Sequence, residues 1–167
     1  MRRHGPHYRV PFRRRREGRT DYRRRLRLLR AGQPRAVVRK TNTGVVVQLA
    51  QFTGTGDRVL ASAVSRELRE LGWTGATGNV PAAYLTGLLA GRRAVGGGIT
   101  SAVLDLGRQV PTKGGRVFAV LKGLVDAGLA IPHDAEVLPA EDRIRGAHIG
   151  DAVAKAFDAT KARVEAA

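Results

Sequence analysis

The sequence predicts an α/β domain: a small mixed sheet of about four strands with helices packed on it, plus an extended basic N-terminal arm. Three observations lead there. Val-rich segments parted by turn residues come first, and beyond residue 65 the apolar spacing changes to a helical period. An isolated apolar run at 102–106 then precedes another helical pattern, the order of a crossover onto one side of a sheet. Finally, charge is unevenly spread. The first forty residues carry sixteen Lys and Arg against Glu17 and Asp21, whereas the rest carry fourteen bases and twelve acids. A near-neutral body thus bears a polycationic leader, and the chain divides into an arm at 1–19, a short basic amphipathic helix docked on the body at 20–34, and a single α/β domain at 35–167.

Residues 1–18 have no helical or strand period and contain Gly5, Pro6, Pro11 and Gly18, so they read as an arm that stays disordered until it meets its partner. Thr20 offers an N-cap oxygen, Asp21 suits a helix start, and Tyr22, Leu26 and Leu29 form a stripe at i, i+4, i+7 expected to pack on the body. Arg23, Arg24, Arg27 and Arg30 project away from that stripe, and Gly32 and Pro34 end the helix.

Strands are expected at 36–39, 45–52 and 58–63, joined by turns at 42–44 and 54–57 as an antiparallel meander. Leu68 and Leu71 mark a short helix closed by Gly72, and Trp73 is placed at an edge of the core. Asn79 caps a helix whose stripe is Leu85, Leu88 and Leu89. Its Ala82, Ala83, Gly87 and Gly91 admit a close neighbour, and Gly96 to Gly98 stop it. After the strand at 102–106, residues 116–128 present Val117, Leu121, Leu124 and Val125 on one helical face. An irregular stretch at 131–139 leads to a weaker helical pattern through Ile149, Val153 and Phe157.

At 167 residues the chain is long enough for a buried core. The absence of Cys excludes disulfides and thiolate metal sites. The best apolar run, at 80–90, is broken by Thr86 and Gly87 and falls short of a membrane span, so no membrane partner is expected. The leader lacks the apolar centre of a secretory signal and the Ser content usual in transit peptides. The excess of Arg over Lys is open to two readings, genome base composition or the planar fork by which Arg matches phosphate.

Catalytic chemistry is thinly represented. His4 and His7 lie in the arm, and His133 and His148 are fifteen apart, so no pair has ligand spacing. Asp105 sits within an apolar strand, where a nuclease holds Mg²⁺, but two-metal chemistry needs several converging carboxylates. A turn cap or a pair with Arg108 is the plainer reading. Residues 54–56 and 96–98 lack the remaining positions of a phosphate loop and read as turns. No cofactor, metal or small-molecule substrate is expected.

The nucleic-acid signal is stronger. Arg9, Arg13, Arg14, Arg15, Arg16 and Arg19 are interleaved with Tyr8, Phe12 and, at the helix start, Tyr22. Guanidinium groups clamp phosphates while flat rings stack on unpaired bases, a combination suited to folded RNA. A solvated tail or a localisation signal is the competing reading, although the charge far exceeds what solubility needs.

The stretch GPHYRVPFRRRREGRTDYRRRLRLLRAGQPRAVVRKTN at 5–42 resembles the N-terminal signature of the archaeal form of the large-subunit ribosomal protein family L-eighteen. TGNVPAAYLTGLLAGRRA at 77–94, AVLDLG at 102–107 and RVFAVLKGLVDAGLAIPH at 116–133 resemble the same family in the same order. The resemblance implies a non-catalytic cytoplasmic protein of the ribosome. It further implies binding of 5S rRNA, help in docking it on the large rRNA in the central protuberance, and contact with other large-subunit proteins. It also implies RNA contact by the basic arm, by the helix start with Tyr22, Arg23, Arg24 and Arg27, by Arg39, Lys40 and Asn42, and by Lys113 and Arg116. Many archaeal relatives carry a longer, often acidic C-terminal extension, so contacts made by such a tail are not expected here. The rival classes are a metal-dependent RNA-processing nuclease, motivated by Asp105, and an architectural DNA-binding protein, motivated by charge alone.

Overall fold

Four strands form one mixed sheet in the order β3-β2-β1-β4, where β1 is Arg35–Lys40, β2 Val45–Phe52, β3 Asp57–Val64 and β4 Val103–Asp105. The computed structural model describes residues 5–166; residues 1–4 of the expected arm, His4 among them, lie outside the described residues. β1, β2 and β3 are the predicted antiparallel meander, with Val38 opposite Val47 and Val47 opposite Ala63. β4 pairs parallel to β1, Ala36 facing Leu104, because the chain between them crosses one face of the sheet as a helix.

Alternation decides which face is buried. Ala36, Val38, Val45, Val47, Leu49, Ala61 and Ala63 turn inward and are essentially inaccessible, while Arg35, Val37 and Arg39 point to the opposite face. A register shift between Leu49 and Ala50 brings Ala50 opposite Val59, rather than leaving strict alternation intact to the strand end.

Two helices, α3 (Val80–Gly96) and α4 (Arg116–Asp126), cover the inward face. Asn79 caps α3 as expected, its Oδ1 accepting from the Ala82 N–H at 2.9 Å. Gly87 admits a close neighbour as predicted, since a Cβ there would strike the Val120 carbonyl, and Gly123 of α4 does the same from the other side, where a Cβ would strike that of Tyr84. Backbone therefore packs on backbone, and every residue of α3 from Val80 to Gly91 is buried. Trp73 is buried and donates from Nε1 to the Ala76 carbonyl. The C-terminal helix, α6 (Asp151–Ala166), rests on α3 through Tyr84 and Phe157, whose ring centroids are 5.6 Å apart. Burial, then a hydrogen bond to Asp126, raise the Tyr84 phenol far above its ordinary range.

Several expectations are corrected. Arg13–Arg16 is a helical turn, α1, since the Phe12 carbonyl accepts from Arg15 and Arg16 N–H; the arm is not extended there. The second helix, α2, spans Tyr22–Leu29, and Asp21 rather than Thr20 is its cap, accepting from the Arg23 and Arg24 N–H groups. Thr20 instead accepts from Arg14. The inward side of α2 is Arg25, Leu28 and Leu29, whereas Tyr22 and Leu26 are exposed. Asp57 on the open sheet face draws Arg25 in at 2.9 Å and so sets the rotation of the helix.

The helix expected after Ser65 is a single 3₁₀ turn, Glu67–Arg69, with Gly72 left-handed beyond it. An unforeseen short helix, α5 (Glu141–Arg145), precedes α6 (Asp151–Ala166), and a 3₁₀ turn at Ala135–Val137 interrupts the stretch read as irregular. Ile149 lies before α6 and is exposed; Phe157 and Val164 supply the buried contacts.

Candidate nucleic-acid interface

The chain from α1 through α2 crosses the open face of the sheet, held at three points. Arg25 reaches Asp57, Gln51 Nε2 donates to the Gly32 carbonyl at 3.2 Å, and Arg24 reaches the Gly107 carbonyl at 3.5 Å. α2 therefore lies over the face that α3 and α4 leave open.

Beneath it is a buried charge network. Arg35 is 3 % exposed and lies 2.7 Å from Asp105 and 2.7 Å from Asp57. Asp105 also accepts from the Gly107 N–H at 2.7 Å, closing the turn after β4, and Arg39 stands 3.6 Å from it. The carboxylate suggested as a metal ligand is therefore consumed by arginines and a turn. Its partner is Arg35 rather than Arg108, because parallel pairing of β1 with β4 sets the two side chains on one face. Arg35 was missed in the sequence because an Arg opening a strand reads as solvated until a neighbouring strand supplies its acid.

Around this network the surface opens into a cleft of about 460 Å³. Its apolar lining is Val37, Ala50 and Val59 on the sheet and Leu28 on α2; eight cationic side chains and three carboxylates line it too. Gln109 reaches across from the β4–α4 connection, Nε2 donating to the Val38 carbonyl at 2.8 Å. That bond fixes the amide orientation, and Oε1 is left buried without a hydrogen-bond partner, as is Arg35 Nε. Each such orphan costs about 1–3 kcal/mol.

The predicted interface residues fall into two groups. Arg9, Arg15, Arg16, Arg23, Arg27 and Arg30 make no side-chain hydrogen bond or ion pair among the described residues, and Lys40 is likewise unpaired and exposed. Phe12 is 84 % exposed, and Tyr8 and Tyr22 are exposed too, so none of the three rings is core. The second group is engaged. Arg13 and Arg19 approach Glu17, and Arg14 donates to Thr20. Arg39 donates to the Val38 and Asp105 carbonyls, and Lys113 pairs with Glu136 in full solvent.

Arg116 donates to the carbonyls of Thr41 at 2.9 Å and Gly78 at 2.8 Å, pinning the β1–β2 hairpin tip that carries exposed Asn42. Thr77 Oγ1 braces the same tip through the Thr43 carbonyl. The Asp21 carboxyl is held below its usual range, chiefly by the Arg24 N–H, with Arg23 N–H and the Arg24 and Arg108 charges adding to it against a desolvation effect. Among the described residues no group of three His, Cys, Asp or Glu could hold a metal ion.

These features define a structural α/β protein with a polycationic face. A family model described as "Ribosomal large subunit proteins 60S L5, and 50S L18" matches residues 6–98 and 96–134, and the chain belongs to that family. The large ribosomal subunit protein uL18 of Korarchaeum cryptofilum is 56 % identical over 142 residues, covering 85 % of this chain and 73 % of the relative. The protein of the same name from Haloarcula marismortui is 56 % identical over 147 residues, 88 % of this chain and 79 % of the relative. The chain is accordingly an archaeal-type structural constituent of the large subunit, cytoplasmic within the ribosome, and not an enzyme. Family membership, together with the arginines that occupy Asp105, overturns the nuclease alternative.

Proposed function

We propose that the chain binds 5S rRNA and helps dock it onto the large rRNA in the central protuberance, beside neighbouring large-subunit proteins. Residues 1–19 act as the RNA-binding arm, 20–34 as a basic helix seated on the body, and 35–167 as the domain that positions both. The observation that carries this reading is the row of guanidinium groups, Arg9, Arg15, Arg16, Arg23, Arg27 and Arg30, left unpaired among the described residues while arginines beside them are neutralised internally. Unpaired, exposed guanidinium groups are the ones free to exchange condensed counterions for phosphate contacts. Exposed Tyr8, Phe12 and Tyr22 add flat surfaces for unpaired bases, which folded RNA offers and duplex DNA does not.

Filter binding to 5S rRNA across a salt series, with the full chain and with residues 1–19 removed, tests it. With about 6 to 10 phosphate contacts, affinity falls by several orders of magnitude from low to moderate salt. The truncated chain should show a markedly shallower slope. Equal slopes, or an affinity no greater than for duplex DNA, would overturn it.

A further inference from the structure

We infer that the cleft between α2 and the open sheet face seats a single unstacked nucleotide of the bound RNA, base inward and phosphate at the mouth; this rests on the RNA-binding reading above. The division of charge within the cleft selects that ligand. The inner cations Arg25 and Arg35 are already matched by Asp57 and Asp105, so the floor offers no excess charge to a bare phosphate. At the mouth, exposed Lys40 and Arg108 carry no ion pair among the described residues.

Between them the sheet floor of Val37, Ala50 and Val59, with Leu28 of α2 opposite, matches the flat apolar faces of a base. The volume, about 460 Å³, falls within the range of small-ligand pockets. Gln109 and Arg35 line it, and the Gln109 Oε1 acceptor and Arg35 Nε donor are buried with no hydrogen bond. A base edge carries the complementary donor and acceptor side by side; a simple anion has acceptors only. Binding there would give the RNA a contact read by base identity, which phosphate clamping cannot supply.

The test uses the full chain with 5S rRNA and, separately, the large-subunit rRNA, each carrying 4-thiouridine for photo-crosslinking, followed by base-reactivity footprinting. Crosslinks are expected on the peptide containing Arg108 and Gln109, with one unpaired base protected. The variant Gln109→Met removes the acceptor while the Val38 carbonyl keeps its bond from Arg39. It should bind about tenfold more weakly at an unchanged salt slope and expose that base alone, whereas Arg108→Ala should lower the slope by about one. Crosslinks confined to residues 8–30, with Gln109→Met binding and footprinting as the parent does, would overturn the cleft assignment and leave the 5S reading standing. If 5S rRNA fails to bind but the large rRNA crosslinks at Gln109, the 5S reading falls and the cleft stands. Failure of both RNAs to reach the cleft removes it.

Discussion

Arg35 and Asp105, on adjoining parallel strands, form a 2.7 Å ion pair with both side chains more than nine-tenths buried. Removing Asp105 leaves Arg35 with Asp57 alone, and removing Arg35 leaves Asp105 only the more distant Arg39. Asp105→Ala should lower the unfolding free energy by about 1.5–3 kcal/mol, the range for a lost hydrogen bond to a charged group, read from urea denaturation. Asp105→Asn should cost less, because its amide oxygen can still accept from the Gly107 N–H. An Asp105→Ala protein as stable as the parent would show that the pair is dispensable.

The unpaired arginines should behave in the opposite way. Replacing Arg15, Arg16, Arg23 and Arg27 together with Ala should leave stability within roughly 0.5 kcal/mol for each surface site. The slope of log affinity against log salt for rRNA should fall by about one for each phosphate that is no longer neutralised. Unchanged slope with weaker binding would assign these residues to packing.

Close helix packing makes Gly87 a stability determinant. Gly87→Ala puts a methyl group against the Val120 carbonyl, so α3 and α4 must separate despite Ala's better helix propensity. Destabilisation of about 1–3 kcal/mol is expected by thermal or urea unfolding. A stabilised variant would contradict the backbone-to-backbone contact.

Asp21 gives α2 a pH dependence with a definite sign. Its carboxyl is lowered in the folded state, first by the Arg24 N–H, so the stabilisation is complete above the ordinary value of 3.8 and is lost as pH falls through the lower folded value. Residues 22–29 should lose amide protection on acidification. Asp21→Asn, which caps without titrating, should remove that dependence, and Asp21→Ala should weaken the helix at every pH. Identical acid profiles for the parent and Asp21→Asn would refute the cap.

Arg116 is a positioning residue for the hairpin tip. Arg116→Ala removes two charge-assisted hydrogen bonds, to Thr41 and Gly78, at a cost of roughly 1.5–3 kcal/mol each in local order. Hydrogen exchange should quicken around residues 41–45 while the β2–β3 ladder keeps its protection. If exchange quickens uniformly, the residue serves global stability instead.

The exposure of the basic segment was legible from residue type: Arg13 to Arg16, Arg23 and Arg27 are exposed, as local charge leads one to expect. The cleft was not legible. Gln109 is seventy-one residues from its partner Val38 in sequence, and neither it nor Arg108 belongs to a periodic pattern. The rotation of α2 was hidden for the same reason: Tyr22, Leu26 and Leu29 make the better apolar stripe, yet Asp57, thirty-two residues from Arg25, decides which side turns inward.

The α/β class, the three-strand meander, the capped helix with its small-residue face and the concentration of cations at one end can be read from the order of the amino acids. Each follows from local periodicity, turn chemistry and charge count. Long-range packing is what sets β4 parallel beside β1, gives Asp105 Arg35 rather than Arg108 as its partner, and makes the basic segment the roof of a cleft. These depend on which distant residues become neighbours, and the Coulomb and hydrogen-bond energies that choose among polar partners exist only once the chain has brought them within a few ångströms.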